Sequence, residues 1–354
     1  MDKYRIDDHK LIYHPERVGD WLRHKNIYPI YAEISPSGAC NHRCVYCALD
    51  FMEYKPRFLD AGILKIRLKE MAGLGLKSVM FAGEGEPFLH PDMAEISVYA
   101  NKRGIDTAFT TNAALLRPAI TDKILATTSW IKVSINGGTP ETYAKIHRAA
   151  PADFGKVFDN LGYAAALKKK KGFACALGMQ MVLLPENAGE AVKLAEKARR
   201  AGMDYLVIKP YSQHPRSLTG KYKKIRYAGY EKLAADLEKF NRPGFSVIFR
   251  LNTMRKWDEG GRPYSRCLAL PFWTYIDAGG NVWGCSMFLQ NEKFRYGNIN
   301  ESSFRRIWEG AGRRKSLEFV RGMDAAACRV NCRMDEINRY LWRLKNPAEH
   351  ANFI

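Results

Sequence analysis

Six short β-rich runs alternate with helical stretches between about residues 31 and 211, and this alternation restricts the chain to few folds. The runs are IYAEIS (30–35), SVMFAG (78–83), DTAFTT (106–111), WIKVSI (130–135), ACALGMQMVLL (174–184) and YLVIKP (205–210). Helical patterns fill 60–74, 92–103, 118–127, 154–171 and 188–201, with Gly104 and Gly202 at ends that favour a left-handed residue. Such an alternation predicts right-handed βαβ units and a parallel sheet, either open or curved toward a barrel. Sheets of this kind carry their chemistry at the C-terminal strand ends. Unusual loops emerge there: SGACNHRCVYC after the first run, FAGEGEPFLHP after the second, TTNAALL after the third, SINGG after the fourth and PYSQHP after the sixth.

After about Gln213 the pattern changes to a smaller α/β portion. A basic stretch (216–229) leads to a helix at 230–241 and the strand-like FSVIFRL (245–251). WTYIDAGGNVWGC (273–285) reads as a hairpin with its turn at Ala278 to Asn281, and helices are predicted at about 303–321 and at 335–345.

No run of 18 apolar residues is present, and the first 26 residues mix charges without an apolar h-region, so a cytoplasmic protein is expected. In that compartment clustered cysteines point to metal binding or catalysis. The net charge of +19 favours anionic partners: nucleic acid, an anionic substrate or an acidic protein. The run Lys168 to Lys171 ends a helical pattern and reads as a solvated helix end.

The eight cysteines fall into two groups and a singleton. Cys40, Cys44 and Cys47 share one loop, and Cys267, Cys285, Cys328 and Cys332 are spread over the C-terminal portion. A structural zinc site needs four ligands, and His42 lies awkwardly between two cysteines as a fourth. Three thiolates on an iron–sulfur cubane leave one iron open, as a catalytic cluster requires, while the second group can close a cluster or a zinc site. Cys175 opens its strand and is expected to be an ordinary buried cysteine facing away from the loops.

Cys40-x3-Cys44-x2-Cys47, with Tyr46 before the last cysteine and the whole loop after a first strand, resembles the signature of radical S-adenosylmethionine (SAM) enzymes. Gly85-Glu86-Pro87, preceded by Gly83 and Glu84, is similar to the family motif that binds the SAM amino group, although Glu84 replaces the usual glycine. The resemblance assigns Tyr46 to the adenine side, Thr111 and Asn112 to a third-strand SAM turn, Ser134 and Asn136 to the ribose, and Arg148 to the SAM carboxylate. Gln180 or Val182 would meet adenine. The second cysteine group resembles the shortened SPASM, or twitch, extension, which holds one auxiliary [4Fe–4S] cluster.

The resemblance thus implies an α/β fold with a partial (β/α)6 parallel barrel and a smaller C-terminal cluster-binding domain. The expected division is an N-terminal extension (1–30), the barrel (31–215), a connecting helix and strand (216–260) and the twitch/SPASM-like domain (261–354). SAM and two [4Fe–4S] clusters, one catalytic and one auxiliary, are the implied cofactors. A 5′-deoxyadenosyl radical would abstract hydrogen from a small polar substrate (a sugar, aminocyclitol or nucleotide sugar), and the auxiliary cluster would accept an electron. The closest family pattern is a twitch-type aminocyclitol dehydrogenase. Lys209, Tyr211, Gln213 and His214 are candidate proton acceptors, and Arg250 a candidate anion clamp. An acidic electron donor such as flavodoxin or ferredoxin is the implied partner, with neither nucleic acid nor membrane expected. The alternatives are a maturase or epimerase of a ribosomal peptide or sugar, and a zinc-bound basic protein that binds nucleic acid through KYKKIRYAGY (221–230).

Overall fold

All six β-rich runs form strands in the computed structural model, which describes residues 4–6 and 8–353. They are β1 Tyr31–Ile34, β2 Ser78–Phe81, β3 Asp106–Thr111, β4 Thr128–Ser134, β5 Ala176–Leu183 and β6 Tyr205–Pro210. These strands are parallel and adjacent in chain order, and β7 Ser246–Phe249 adds a further parallel strand beside β6. Every position of β5 is buried, as expected of a parallel strand covered on both faces.

Helices Ala61–Gly73, Met93–Lys102, Pro118–Ile124, Ala152–Lys171 and Ala191–Arg200 fill the crossovers. Their apolar stripes (Leu64, Ile96, Leu161, Leu194) pack on outward-facing strand residues such as Ile34, Phe81, Phe109, Leu177 and Leu206. The lone Cys175 is buried in this same core, away from both other cysteine groups. Asp60 caps the first of these helices by accepting the Ile63 N–H at 2.7 Å.

The sheet is curved. Glu33 of β1 and Lys209 of β6 lie far apart in strand order, yet both line one cavity. The inner face therefore closes partway into a barrel, whose base is filled by Trp130, Ala176, Tyr205 and Val207 with Tyr4 and Ile6.

The C-terminal strands join this same sheet. β8 Trp273–Ile276 pairs in parallel with β1, and β9 Asn281–Trp283 and β10 Arg295–Asn298 follow antiparallel. The β8–β9 turn forms where expected: the Asp277 carboxylate accepts the N–H groups of Gly279 and Asn281 at 2.8 and 2.9 Å, and Gly280 takes φ +85°. The helix expected at 303–321 is two helices, Phe304–Glu309 and Ala311–Arg321, broken at Gly310. Helices Pro15–Leu22, Pro140–His147 and Leu251–Glu259 and strand β10 were not expected. Among the described residues no helix is long and apolar enough to cross a membrane.

Candidate active site at the mouth of the barrel

The loop after β1 carries Cys40, Cys44 and Cys47 to the rim of a cavity of about 330 Å³. Glu84 and Glu86 after β2, Thr111 and Asn112 at the end of β3, Ser134 of β4, Gln180 and Val182 of β5, Lys209 of β6 and Tyr211 just after it line it too. The expected convergence of strand-end loops is therefore present.

The glycines of the second loop permit close packing. A Cβ on Gly85 would lie 2.0 Å from the Ala39 carbonyl oxygen, so only glycine lets this loop rest on the cysteine loop. Gly83 has φ +116°, and a Cβ there would meet the Tyr275 hydroxyl at 2.4 Å.

The two glutamates of this loop are held differently. Glu86 accepts from the Thr111 hydroxyl, from Asn112 N–H at 2.8 Å and from Phe88 N–H at 3.3 Å. Burial raises its pKa to about 7 despite these donors. Glu84, the departure from the family glycine, accepts from Arg57 at 2.9 Å and from the Ala278 N–H at 3.0 Å. It thereby ties the SAM-motif loop to the β8–β9 turn. Burial, then the nearby Asp277 charge, raises Glu84 to about 7.

Four expected contacts lie outside the cavity lining. Pro87 starts a short 3-10 turn, Pro87–Leu89, and is buried behind Glu86. Asn136 is fully buried, with its amide nitrogen donating to the Tyr46 hydroxyl at 2.7 Å and its oxygen accepting the Val182 N–H at 2.6 Å. Its side chain ties the loop after β1 to β5 and has no free face for a ribose. Arg148 is exposed, because it ends helix Pro140–His147 in the left-handed region (φ +47°) and turns outward. The preceding residue, His147, is the one that lines the cavity. Arg250 precedes helix Leu251–Glu259 and also misses the lining, whereas Arg329 and Arg333 reach it from the Cys328–Cys332 loop.

Among the proton-acceptor candidates, Lys209, Tyr211 and His214 line the cavity and Gln213 does not. The Tyr211 hydroxyl donates to Gln213 at 3.0 Å. His214 Nδ1 accepts the Arg216 N–H at 3.1 Å, leaving Nε2–H directed at the Ser286 carbonyl at 3.4 Å. Burial holds the His214 imidazole down to about 4. Lys209 has no hydrogen-bond or ion-pair partner among the described residues. Burial and the charges of Lys132, Arg250, Arg333 and Arg329 hold its pKa well below the usual lysine range.

The second cysteine group lines a smaller apolar cavity of about 40 Å³. Trp273, Phe288, Phe294 and Met334 wall it. N–H groups point at its sulfurs: Met287 N–H to Cys285 and Met334 N–H to Cys332, each at 3.4 Å, and the Asn338 amide to Cys267 at 3.7 Å. The cysteine loop repeats the device with His42 N–H at 3.5 Å from Cys40 Sγ.

Sulfur spacing separates zinc from a cluster. Thiolates sharing one tetrahedral zinc lie about 3.8 Å apart, given a Zn–S bond of about 2.3 Å. Among the described residues, neither cysteine set has three sulfurs within 4.8 Å of one another. Burial raises thiols such as Cys40 (about 12) and Cys267 (about 11). Such buried sulfurs become thiolates when bound to iron. The donor sets thus fit an open three-thiolate cluster and a closed four-thiolate one.

Comparison with known proteins agrees. The radical SAM superfamily matches residues 34–198, and the SPASM iron–sulfur cluster-binding domain matches residues 267–333. The chain is similar to an AdoMet-dependent heme synthase of Methanosarcina barkeri (strain Fusaro / DSM 804), with 24% identity over 78% of this chain and 80% of that protein. It is also similar to the mycofactocin maturase MftC of Mycolicibacterium smegmatis (strain ATCC 700084 / mc(2)155), with 23% identity over 83% of this chain and 75% of that protein. In fold it resembles Streptococcus suis SuiB bound to S-adenosylmethionine, with a TM-score of 0.61, 19% identity, and coverage of 85% of this chain and 70% of that one. SAM, a [4Fe–4S] cluster and an auxiliary iron–sulfur cluster are the cofactors of this chain. With both domains in place on a parallel α/β barrel, the chain belongs to the radical SAM superfamily and carries a C-terminal SPASM-type domain.

Proposed function

We propose that this radical SAM enzyme is an oxidoreductase of a small polar substrate bearing an anionic group, with a nucleotide sugar or phosphorylated sugar fitting best. The observation that carries the reading is that one cavity is bordered by both cluster sites. Cys40, Cys44 and Cys47 line it, and so do Ser286, Arg329 and Arg333, neighbours of the auxiliary cysteines. When bound, the reduced first cluster and SAM supply the 5′-deoxyadenosyl radical that abstracts hydrogen, and the auxiliary cluster supplies an electron acceptor.

The chain's own residues suit this chemistry. Arg329 keeps a buried Nε without an acceptor, and Arg333 pairs with Glu33 at the cavity wall. They take over the anion-clamp role expected of Arg250. Lys209 has a free amine of depressed pKa and serves as the base for the substrate hydroxyl proton. Oxidation of an alcohol carbon would then balance: the bound cofactors would supply the acceptors of the hydrogen atom and of the electron, and Lys209 would take the hydroxyl proton. Gly83, Gly85, Glu86, Thr111, Asn112 and Ser134 bind SAM, with Tyr46 toward adenine. The division into a barrel at 31–215, a connector at 216–260 and a cluster domain at 261–354 is part of the same proposal. The basic net charge of +19 suits an acidic flavodoxin or ferredoxin as electron donor.

Anaerobic incubation with SAM, reductant and a panel of deuterated sugars and sugar phosphates tests the reading. Deuterium in 5′-deoxyadenosine, with one oxidised product per SAM consumed, is the expected result. The likeness to the mycofactocin maturase favours a second reading, modification of a ribosomal peptide. SAM cleavage coupled only to added peptides, with no deuterium transfer from any sugar, replaces the first reading with the second.

A further inference from the structure

His147 lies against the first cluster site, with Nδ1 3.5 Å from Cys44 Sγ. Its other ring nitrogen decides where the proton sits. Nε2 is 3.1 Å from the backbone N–H of Asn136 and 3.1 Å from the Asn136 side-chain nitrogen. A backbone N–H can only donate, so Nε2 carries the lone pair and Nδ1 the hydrogen.

The ring is fixed in that attitude. It stacks on Tyr143 with centroids 4.2 Å apart and meets Tyr46 and His42 edge-on. Asn136, which presents the two donors, is itself held by Tyr46 and Val182. His42, Cys44 and His147 do bring three ligand-type atoms within 4.8 Å. A protonated Nδ1 cannot coordinate a metal, however, and turning the ring would leave the Asn136 N–H buried and unpaired.

Resting on the family assignment, we propose that His147 is a positioning residue that donates an Nδ1–H···S hydrogen bond to Cys44 and thereby raises the reduction potential of the SAM-binding cluster. The direction follows from charge: reduction adds an electron to the cluster, so a donor at a thiolate ligand stabilises the reduced state more than the oxidised one. The same bond fixes Cys44 against Asn136, which also orders the loops after β4 and β5.

The test uses the full chain, anaerobically reconstituted with both clusters and saturated with SAM. A potentiometric titration follows only the paramagnetic signal that changes on SAM addition, which isolates the first cluster. In H147F the midpoint is expected to fall by about 59 mV, a tenfold shift in the one-electron equilibrium, with iron and sulfide content unchanged. H147Q, which can restore an N–H donor, is expected to recover part of that shift. In the unsubstituted protein, histidine labelled with ¹⁵N in the imidazole ring alone should show hyperfine coupling to the reduced cluster, a readout independent of how well either variant folds. Absence of that coupling overturns the proposal. So does an unchanged midpoint in H147F with both clusters intact, or a single mononuclear metal bound in place of the first cluster.

Discussion

Replacing Lys132 with methionine should make the protein more stable and shift the pH dependence of its catalysis. Lys132 lies on the inner face of β4, below Ser134, with its ammonium 5.1 Å from the Trp130 ring centroid. Burial, followed by the charges of Arg333 and Arg250, lowers its pKa from 10.5 to about 8. A lysine whose folded pKa lies below its unfolded value binds fewer protons when folded, so it costs stability while both states are charged. That cost is full below about pH 8 and disappears as pH rises toward 10.5. A gap of this size corresponds to roughly 3 kcal/mol at about 1.4 kcal/mol per pKa unit. The side chain is only partly shielded from solvent, and its loss also removes a cation–π contact of about 0.5–1 kcal/mol, leaving a net gain of about 2 kcal/mol for the variant. Anaerobic thermal unfolding of the cluster-loaded protein at pH 7 and pH 10 checks this. The melting temperature of the variant should exceed that of the parent by several degrees at pH 7, and the gap should close at pH 10. Lys132 also heads the charges that depress Lys209 after burial, so the pH–rate profile of the variant should shift alkaline. A stability gap that is the same at both pH values, or a variant less stable than the parent at pH 7, would refute the electrostatic reasoning.

Further outcomes test other parts of the site. Glu84→Gln should relieve the buried carboxylate: with the folded pKa raised to about 7, the glutamate costs stability increasingly as pH rises from about 4.5 through 7, so the variant's advantage in unfolding assays should grow over that window. Gly85→Ala should displace the cysteine loop, read as loss of the SAM-sensitive cluster signal with the auxiliary iron retained, because the new Cβ has 2.0 Å to the Ala39 oxygen. The triple substitution Cys40→Ala, Cys44→Ala and Cys47→Ala should lower iron content to that of the auxiliary site and abolish SAM cleavage. Lys209→Met should reduce turnover of the oxidised substrate by roughly a hundredfold or more while SAM cleavage without substrate persists, as expected for loss of a general base.

Local pattern revealed the barrel but not its closure partners. The six parallel strands and their helices were legible because each is a run of buried residues bounded by glycine or by a polar turn. The parallel pairing of β8 with β1 was not legible, since nothing local in WTYI names a partner so distant in sequence. The cysteines and the second-strand loop were recognisable because their spacing is the chemistry. The arginines were not, because a one-residue turn decides which side chain faces inward. Helix Pro140–His147 ends as its chain enters the left-handed region at Arg148, so His147 is the last side chain directed at the site. The Thr139–Pro140 pair, a cap followed by proline at the first helical position, was the available signal for that helix. Arg329 replaces Arg250 at the cavity because the Cys328–Cys332 loop folds back across the barrel mouth, an arrangement only tertiary structure can bring about.

The pairing of β8 with β1 also bears on how the chain can be divided. With β8 in place, β1 is an interior strand, hydrogen-bonded on both sides. A polypeptide ending before residue 267 would leave β1 as a bare edge carrying the very loop that bears Cys40, Cys44 and Cys47, with unpaired backbone groups open to another molecule. The auxiliary region is thus no detachable accessory: in synthesis the first cluster's loop waits on β8 for its supporting neighbour, and proteolytic trimming from the C-terminus should surrender the solubility of the radical-generating half before its iron.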